Sequence, residues 1–197
     1  MSLVNHSTKE ITAKIVYYGP GRCGKTTNLQ YVFSRLPEER RGKIVSLATE
    51  KDRTLFFDFL PLDVGPISGF QTRFQLYTVP GQVYYNATRR LVLQGADGVV
   101  FVADSQRSLM DENRESLDNL RDNLSSWGMT LEELPLVFQY NKRDLPDLAL
   151  PSELARLLDV GSRPAFEGVA VQGRGVLDTL RAIGFMVMQR LAGVEIR

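Results

Sequence analysis

The sequence predicts an α/β domain with a mostly parallel six-stranded sheet, helices on both faces and one antiparallel hairpin strand. Three observations predict it. Short apolar, β-rich runs alternate with stretches of helical spacing. One pair of runs is joined by a segment too short for a crossover helix. A glycine-rich loop sits where the first strand gives way to the first helix.

The strand runs are 11–18, 55–62, 70–79, 98–103, 136–140 and 168–171. Helical spacing begins at Lys25, Met110, Ser152 and Val176. In the first helix Leu29, Val32, Phe33 and Leu36 form one apolar stripe before Pro37 stops it, so this helix packs on a sheet. Between the second and third runs, "DVGPISG" carries one Pro and two Gly and reads as a turn, which makes that pair a hairpin. With 197 residues and no repeat or low-complexity linker, one domain over 1–197 is expected.

Composition excludes several function classes. Lys and Arg number 24 against 23 Asp and Glu, so no global charge favours nucleic acid or an acidic membrane. Cys23 is the one cysteine and His6 the one histidine, which removes an internal disulfide, a His- or Cys-rich zinc site and a His-based triad. No apolar run approaches the roughly 20 residues of a membrane span, and neither a signal-peptide core nor a lipidation motif stands out. A cytoplasmic protein is expected, with any recruitment to a membrane made through partners.

The motif "GPGRCGKT", Gly19 to Thr26, fits the phosphate-loop pattern and its strand-to-helix context. Its glycines let the backbone amides from Gly21 through Arg22, Cys23, Gly24 and Lys25 to Thr26 approach a β-phosphate, and the helix N-terminus adds partial positive charge. Lys25 neutralises β- and γ-oxygens, the Thr26 hydroxyl binds Mg²⁺, and Thr27 completes the phosphate-binding set.

A second motif, "NKRD", follows the apolar strand "LPLVFQY". Asp144 can accept hydrogen bonds from the ring N1–H and 2-amino group of guanine, Asn141 can hold base and loop, and the Lys142 stem can cover the ring face. Adenine offers neither donor, so it would leave the carboxylate facing a lone pair.

Together, "GPGRCGKTTNLQY", "DRTLFFDFLPL", "TRFQLYTVPGQVYYNA" and "YNKRDLP" resemble the Ras-like small GTPases, and the bacterial MglA type in particular. The resemblance covers nearly the whole chain. It implies a Ras-like phosphate-loop GTPase fold, GTP and GDP as bound nucleotides with Mg²⁺, and a polarity or motility switch. It also implies downstream effectors and a homodimeric, roadblock-fold GTPase-activating partner resembling MglB. In "VAVQGRG" the family's base-contacting loop is represented by Ala170 and Val171, although its serine and lysine are absent and a plain strand end is an alternative.

A sensor of the γ-phosphate needs a threonine on a mobile loop, and Thr49 and Thr54 are the candidates. Thr54 is favoured as the metal ligand, since "EKDRT" leads into the next strand and matches the resembling type. Arg53 is either a surface residue or, as the resemblance implies, a catalytic arginine supplied in the same chain. Neighbouring side chains in an extended segment point apart, so Thr54 and Arg53 can both engage only if the backbone turns there. A partner that remodels this loop would then activate a slow intrinsic reaction. In "TVPGQ", Gly81 can donate its N–H to the γ-phosphate and Gln82 can orient the attacking water, the roles those positions have in the resembling proteins.

Thr78 stands where the wider superfamily has an acid that holds Mg²⁺ through water. A hydroxyl adds no charge, so metal affinity should be weaker unless a carboxylate compensates; Asp58 and Asp104 are the candidates, and compensation by neither is the remaining alternative. A nucleotide-gated binding module with negligible hydrolysis is the alternative reading, while a phosphate-loop kinase or ATPase is disfavoured by Asp144.

Overall fold

The computed structural model describes residues 3–5, 7–37, 39, 42–47, 57–67, 69–82 and 85–194. Strands β1 (Leu3–Asn5), β2 (Glu10–Tyr18), β3 (Val45–Leu47), β4 (Phe57–Ile67), β5 (Phe70–Thr78), β6 (Gly98–Asp104), β7 (Leu136–Asn141) and β8 (Ala165–Glu167) alternate with helices. The helices are α1 (Lys25–Arg35), α2 (Asn86–Leu93), α3 (Met110–Ser125), α4 (Pro151–Leu157) and α5 (Val176–Val194).

One sheet joins the strands in the order β3-β4-β5-β2-β6-β7-β8, with β1 paired to β2 off this path. Its six-strand body, from β4 to β8, is the sheet the sequence predicts; the three-residue strand β3 extends its edge beside β4, and β1 pairs with the first residues of the central β2. Neighbours from β5 to β8 run parallel, whereas β4 pairs antiparallel with β5.

Period-two alternation divides the interior into two cores. Val16, Tyr18, Val99, Phe101 and Phe138 face one way, against Val92 and Leu93 of α2, Leu117, Leu120 and Leu124 of α3, and Leu154 of α4. Ile15, Tyr17, Val100, Val102 and Val137 face the other, against Leu29 and Val32 of α1 and Leu180, Ile183 and Val187 of α5. Both faces of β6 and β7 are covered, which is why those strands read as near-continuous apolar runs, interrupted in β7 by Gln139.

Two boundaries and one helix differ from expectation. The "DVGPISG" turn is mostly strand: β4 continues to Ile67, with a bulge between Asp63 and Gly65 that absorbs the irregular backbone. Gly65 takes φ +91°, and the Asp63 carboxylate accepts from its N–H at 2.9 Å and from Gln71 Nε2 at 2.7 Å. The last strand is 165–167 and not 168–171, because the Gly168 N–H makes a final bond to the Tyr140 carbonyl before the chain turns back in a Val169–Arg174 bridge. Helix α2 was missed, since its Thr-Arg-Arg interior interrupts the apolar stripe. Of 55–62, residues 55 and 56 lie outside the described residues; Leu60 and Leu62 are core, and the half-buried Phe59 packs on Tyr77 with ring centroids 4.8 Å apart.

Candidate functional site

Strands β2, β5, β6 and β7 end at the same edge of the sheet, the edge at which folds of this kind bind ligands. The phosphate loop leaves β2 there and enters α1 at Lys25. Gly24 is the N-cap, in the left-handed region at φ 103°, where a Cβ would be strained and would collide with Asn141 Nδ2. No side chain caps this helix end, so the first-turn amides are left to the groove. The Lys25 ammonium is buried and donates to the carbonyls of Gly19 at 3.0 Å and Pro20 at 2.6 Å. Burial lowers its pKa, an effect the Cys23 side chain opposes and the nearby Arg89 guanidinium reinforces. Cys23 is fully buried beneath the loop, which pushes its thiol pKa up. Arg22 is exposed with φ 59°, while Thr26 is exposed and Thr27 half-buried.

The hairpin register carries Asp58 to a position one step beyond the Phe59–Tyr77 pair, opposite Thr78. Asp58 Oδ2 accepts hydrogen bonds from Thr26 Oγ1 at 2.5 Å and from Thr78 Oγ1 at 3.0 Å, and the Asp58 N–H donates to Thr78 Oγ1 at 2.8 Å. Asp104 is engaged elsewhere. It forms an ion pair with Lys142 and accepts from the Gln106 N–H at 3.1 Å, so it supports the base-side loop. Among the described residues no three His, Cys, Asp or Glu side chains cluster as a metal cage. The set at Thr26 is one carboxylate and two hydroxyls, oxygen donors that suit a hard dication keeping several waters and completing its shell on phosphate.

On the base side, Asn141 joins two loops. Its Nδ2 donates to the Cys23 carbonyl at 2.7 Å, and its Oδ1 accepts from the Ala170 N–H at 2.9 Å. Lys142 turns the chain at φ 65°. The Asp144 side chain is exposed, with no hydrogen-bond or ion-pair partner among the described residues. Ala170 is buried and Val171 is 73% exposed, leaving an apolar lip beside that carboxylate loop. Arg143 braces it, donating to Glu167 at 2.8 Å and to the Ala149 carbonyl at 2.7 Å.

After β5, Gly81 lies so close to the Gly21 backbone that a Cβ on it would collide with Gly21 Cα. The exposed Gln82 passes beside Gly21, and an open cleft of about 310 Å³ separates this pair from Glu112 and Glu115 of α3. Behind the loop, Arg89 of α2 is fully buried. Its Nη2 donates to Ser116 Oγ at 2.7 Å and to the Gly19 carbonyl at 3.4 Å, and its guanidinium lies over the Tyr18 ring at 4.4 Å.

The chain is 56% identical over 191 residues to the mutual gliding-motility protein MglA of Myxococcus xanthus (strain DK1622), a match that covers 97% of this chain and 98% of that relative. This chain belongs to the MglA family of Ras-like small GTPases. No family model matches it. Membership of the MglA family carries GTP binding and GTPase activity in general, and the sheet order and helix placement agree with its Ras-like fold. Among the described residues, no helix is long and apolar enough to cross a membrane.

Against the MglA-family motifs, the structure brings Gly19, Gly21, Gly24, Lys25, Thr26, Gly81, Gln82, Asn141 and Ala170 to one edge, with Asp144 on the loop that follows. Arg53 and Thr54, with the alternative Thr49, lie outside the described residues. Sequence reasoning missed Arg89, Asn28 and Gln139. The last two had a readable signal: Asn28 adjoins Leu29 on the buried face of α1, and Gln139 is a lone amide in the buried run "LVFQY".

Proposed function

We propose that the chain is a GTP-operated switch of cell polarity and gliding motility, slow to hydrolyse GTP alone and turned off by a homodimeric, roadblock-fold activator resembling MglB. The observation that carries this reading is Asn141, bonded at once to the phosphate loop through the Cys23 carbonyl and to the base-side loop through the Ala170 amide. One guanine nucleotide fits between those loops, with Asp144 reading N1–H and the 2-amino group, the Lys142 stem on the ring face, and Ala170 and Val171 at the base edge.

At the phosphate end the amides of Gly21, Arg22, Cys23, Gly24, Lys25, Thr26 and Thr27 cradle the β-phosphate and the Lys25 ammonium turns to its oxygens. Thr26 and Thr54 would hold Mg²⁺, with Asp58 supplying through its Thr26 contact the negative charge that Thr78 lacks. When bound, the cation neutralises charge on the β- and γ-oxygens. Gly81 donates its N–H to the γ-phosphate, Gln82 orients the attacking water, and Arg53 stabilises charge on the transferring group. The partner's part is to seat Arg53 and Gln82. Effectors read the resulting loop positions, and polar recruitment of this cytoplasmic protein runs through partners.

Fluorescence titration with GTP and ATP, followed by phosphate release with and without the homodimeric partner, tests the reading. GTP-selective binding and slow release that the partner accelerates are expected. ATP bound as tightly as GTP would refute it.

A further inference from the structure

Two glycine carbonyls on opposite sides of the nucleotide groove are pinned in the same way. Gly24 and Gly175 each take positive φ immediately before a helix, α1 and α5 respectively. The Gly24 carbonyl accepts from the Asn28 N–H at 3.0 Å and again from Asn28 Nδ2 at 2.9 Å. The Gly175 carbonyl accepts from the Thr179 N–H at 3.1 Å and again from Thr179 Oγ1 at 2.7 Å.

Gln139 of β7 connects the two. Its Oε1 accepts from Asn28 Nδ2 at 2.8 Å, while its Nε2 donates to Asn28 Oδ1 at 2.9 Å and to Thr179 Oγ1 at 3.2 Å. Asn28, Gln139 and Thr179 are all fully buried, and both amide groups and the hydroxyl find partners within the trio and the two carbonyls. A satisfied buried polar network rigidifies what it joins.

The peptide plane converts this into control of the groove. A trans peptide holds its C=O and the next N–H in opposite directions. Fixing the Gly24 carbonyl therefore aims the Lys25 N–H outward from the start of α1, where phosphate approaches. Fixing the Gly175 carbonyl anchors the end of the loop that begins at Ala170.

We propose that Gln139, with Asn28 and Thr179, is a positioning device that sets the phosphate loop and the base-side loop at a fixed separation, so that GDP is released slowly. It rests on the guanine-nucleotide reading above. All three side chains are buried behind the loops: Asn28 and Thr179 each act through a backbone carbonyl, and Gln139 acts through those two side chains.

The test compares release of GDP carrying a fluorescent N-methylanthraniloyl group with thermal stability in the same variants. Gln139→Leu leaves the buried Asn28 Oδ1 without its donor and takes one of two acceptors from Nδ2, so it lowers Tm and speeds release. The double variant Asn28→Leu/Gln139→Leu replaces both partners by apolar groups, which restores much of the Tm. It still releases GDP about tenfold faster than wild type, because the Gly24 carbonyl loses its side-chain donor and its tie to β7 and keeps only the helical bond from the residue-28 N–H. A double variant with recovered Tm and wild-type release overturns the proposal. Thr179→Val and Thr179→Ser give a second reading that perturbs the fold less: serine keeps the slow release and valine speeds it, and equal rates for the two also overturn it. Failure of the wild type itself to hold GDP would count against the guanine-nucleotide reading instead.

Discussion

The Asp58 carboxylate lies 2.5 Å from the Thr26 hydroxyl and 3.0 Å from the Thr78 hydroxyl, so a carboxylate from β4 reaches across to the place after "LY" in β5 where the wider superfamily carries its acid. Thr78 holds that acid in place. It donates to the carboxylate and accepts from the Asp58 N–H, which fixes both the side chain and the strand that carries it.

A first prediction follows for Thr78→Asp, which restores the superfamily's residue. Two carboxylates about 3 Å apart cannot both ionise freely, so one has its folded-state pKa raised. The folded state then binds a proton more tightly than the unfolded state, and stability present at low pH is lost as pH rises from the ordinary carboxylate range to the raised pKa. Near neutral pH a loss of roughly 1–3 kcal/mol is expected, relieved by Mg²⁺. Urea unfolding across pH measures it, and a stability difference that does not vary with pH would contradict the assignment.

Much of the candidate site's layout was legible in the sequence, because its motifs are local: "GPGRCGKT" and "NKRD" each lie within a few residues at a strand end. That Asp58 and not Asp104 stands beside Thr78 was not legible, since it depends on hairpin register, a non-local pairing of β4 with β5. Arg89 was hidden for a similar reason. Its burial depends on where α2 docks against the phosphate loop, and a Thr-Arg-Arg segment reads as solvated surface. In 168–171 the apolar residues suggested a strand, but Gly168 and Gly173 bend the chain there.

Selectivity should reside in Asp144. Asp144→Ala removes the acceptor for guanine N1–H and the 2-amino group, so discrimination of GTP over ATP falls by about 10²-fold or more. Discrimination between GTP and ITP, which lacks the 2-amino group, should fall as well. Competition binding measures both ratios, and unchanged ratios would place base recognition elsewhere.

Arg53→Ala separates chemistry from binding. Partner-stimulated single-turnover hydrolysis should drop by about 10³-fold or more while GTP affinity changes little. Intrinsic hydrolysis that is already fast without the partner, or a rate that survives the substitution, would remove Arg53 from the mechanism.

Core placement gives a stability contrast. Leu29 is fully buried between α1 and the sheet, so Leu29→Ala should cost roughly 2–5 kcal/mol. Leu91 on α2 is 59% exposed, and Leu91→Ala should stay within about 0.5 kcal/mol of wild type. Denaturant midpoints distinguish the two.

The replacement of the missing acid is tested most directly by the Mg²⁺ dependence of GDP release in Asp58→Asn and Asp104→Asn. In wild type and in Asp104→Asn, chelating Mg²⁺ should speed release strongly. In Asp58→Asn release with Mg²⁺ should be about 10- to 100-fold faster than wild type, and chelation should add little. An Asp58→Asn protein that keeps the full response to Mg²⁺ while Asp104→Asn loses it would contradict the account.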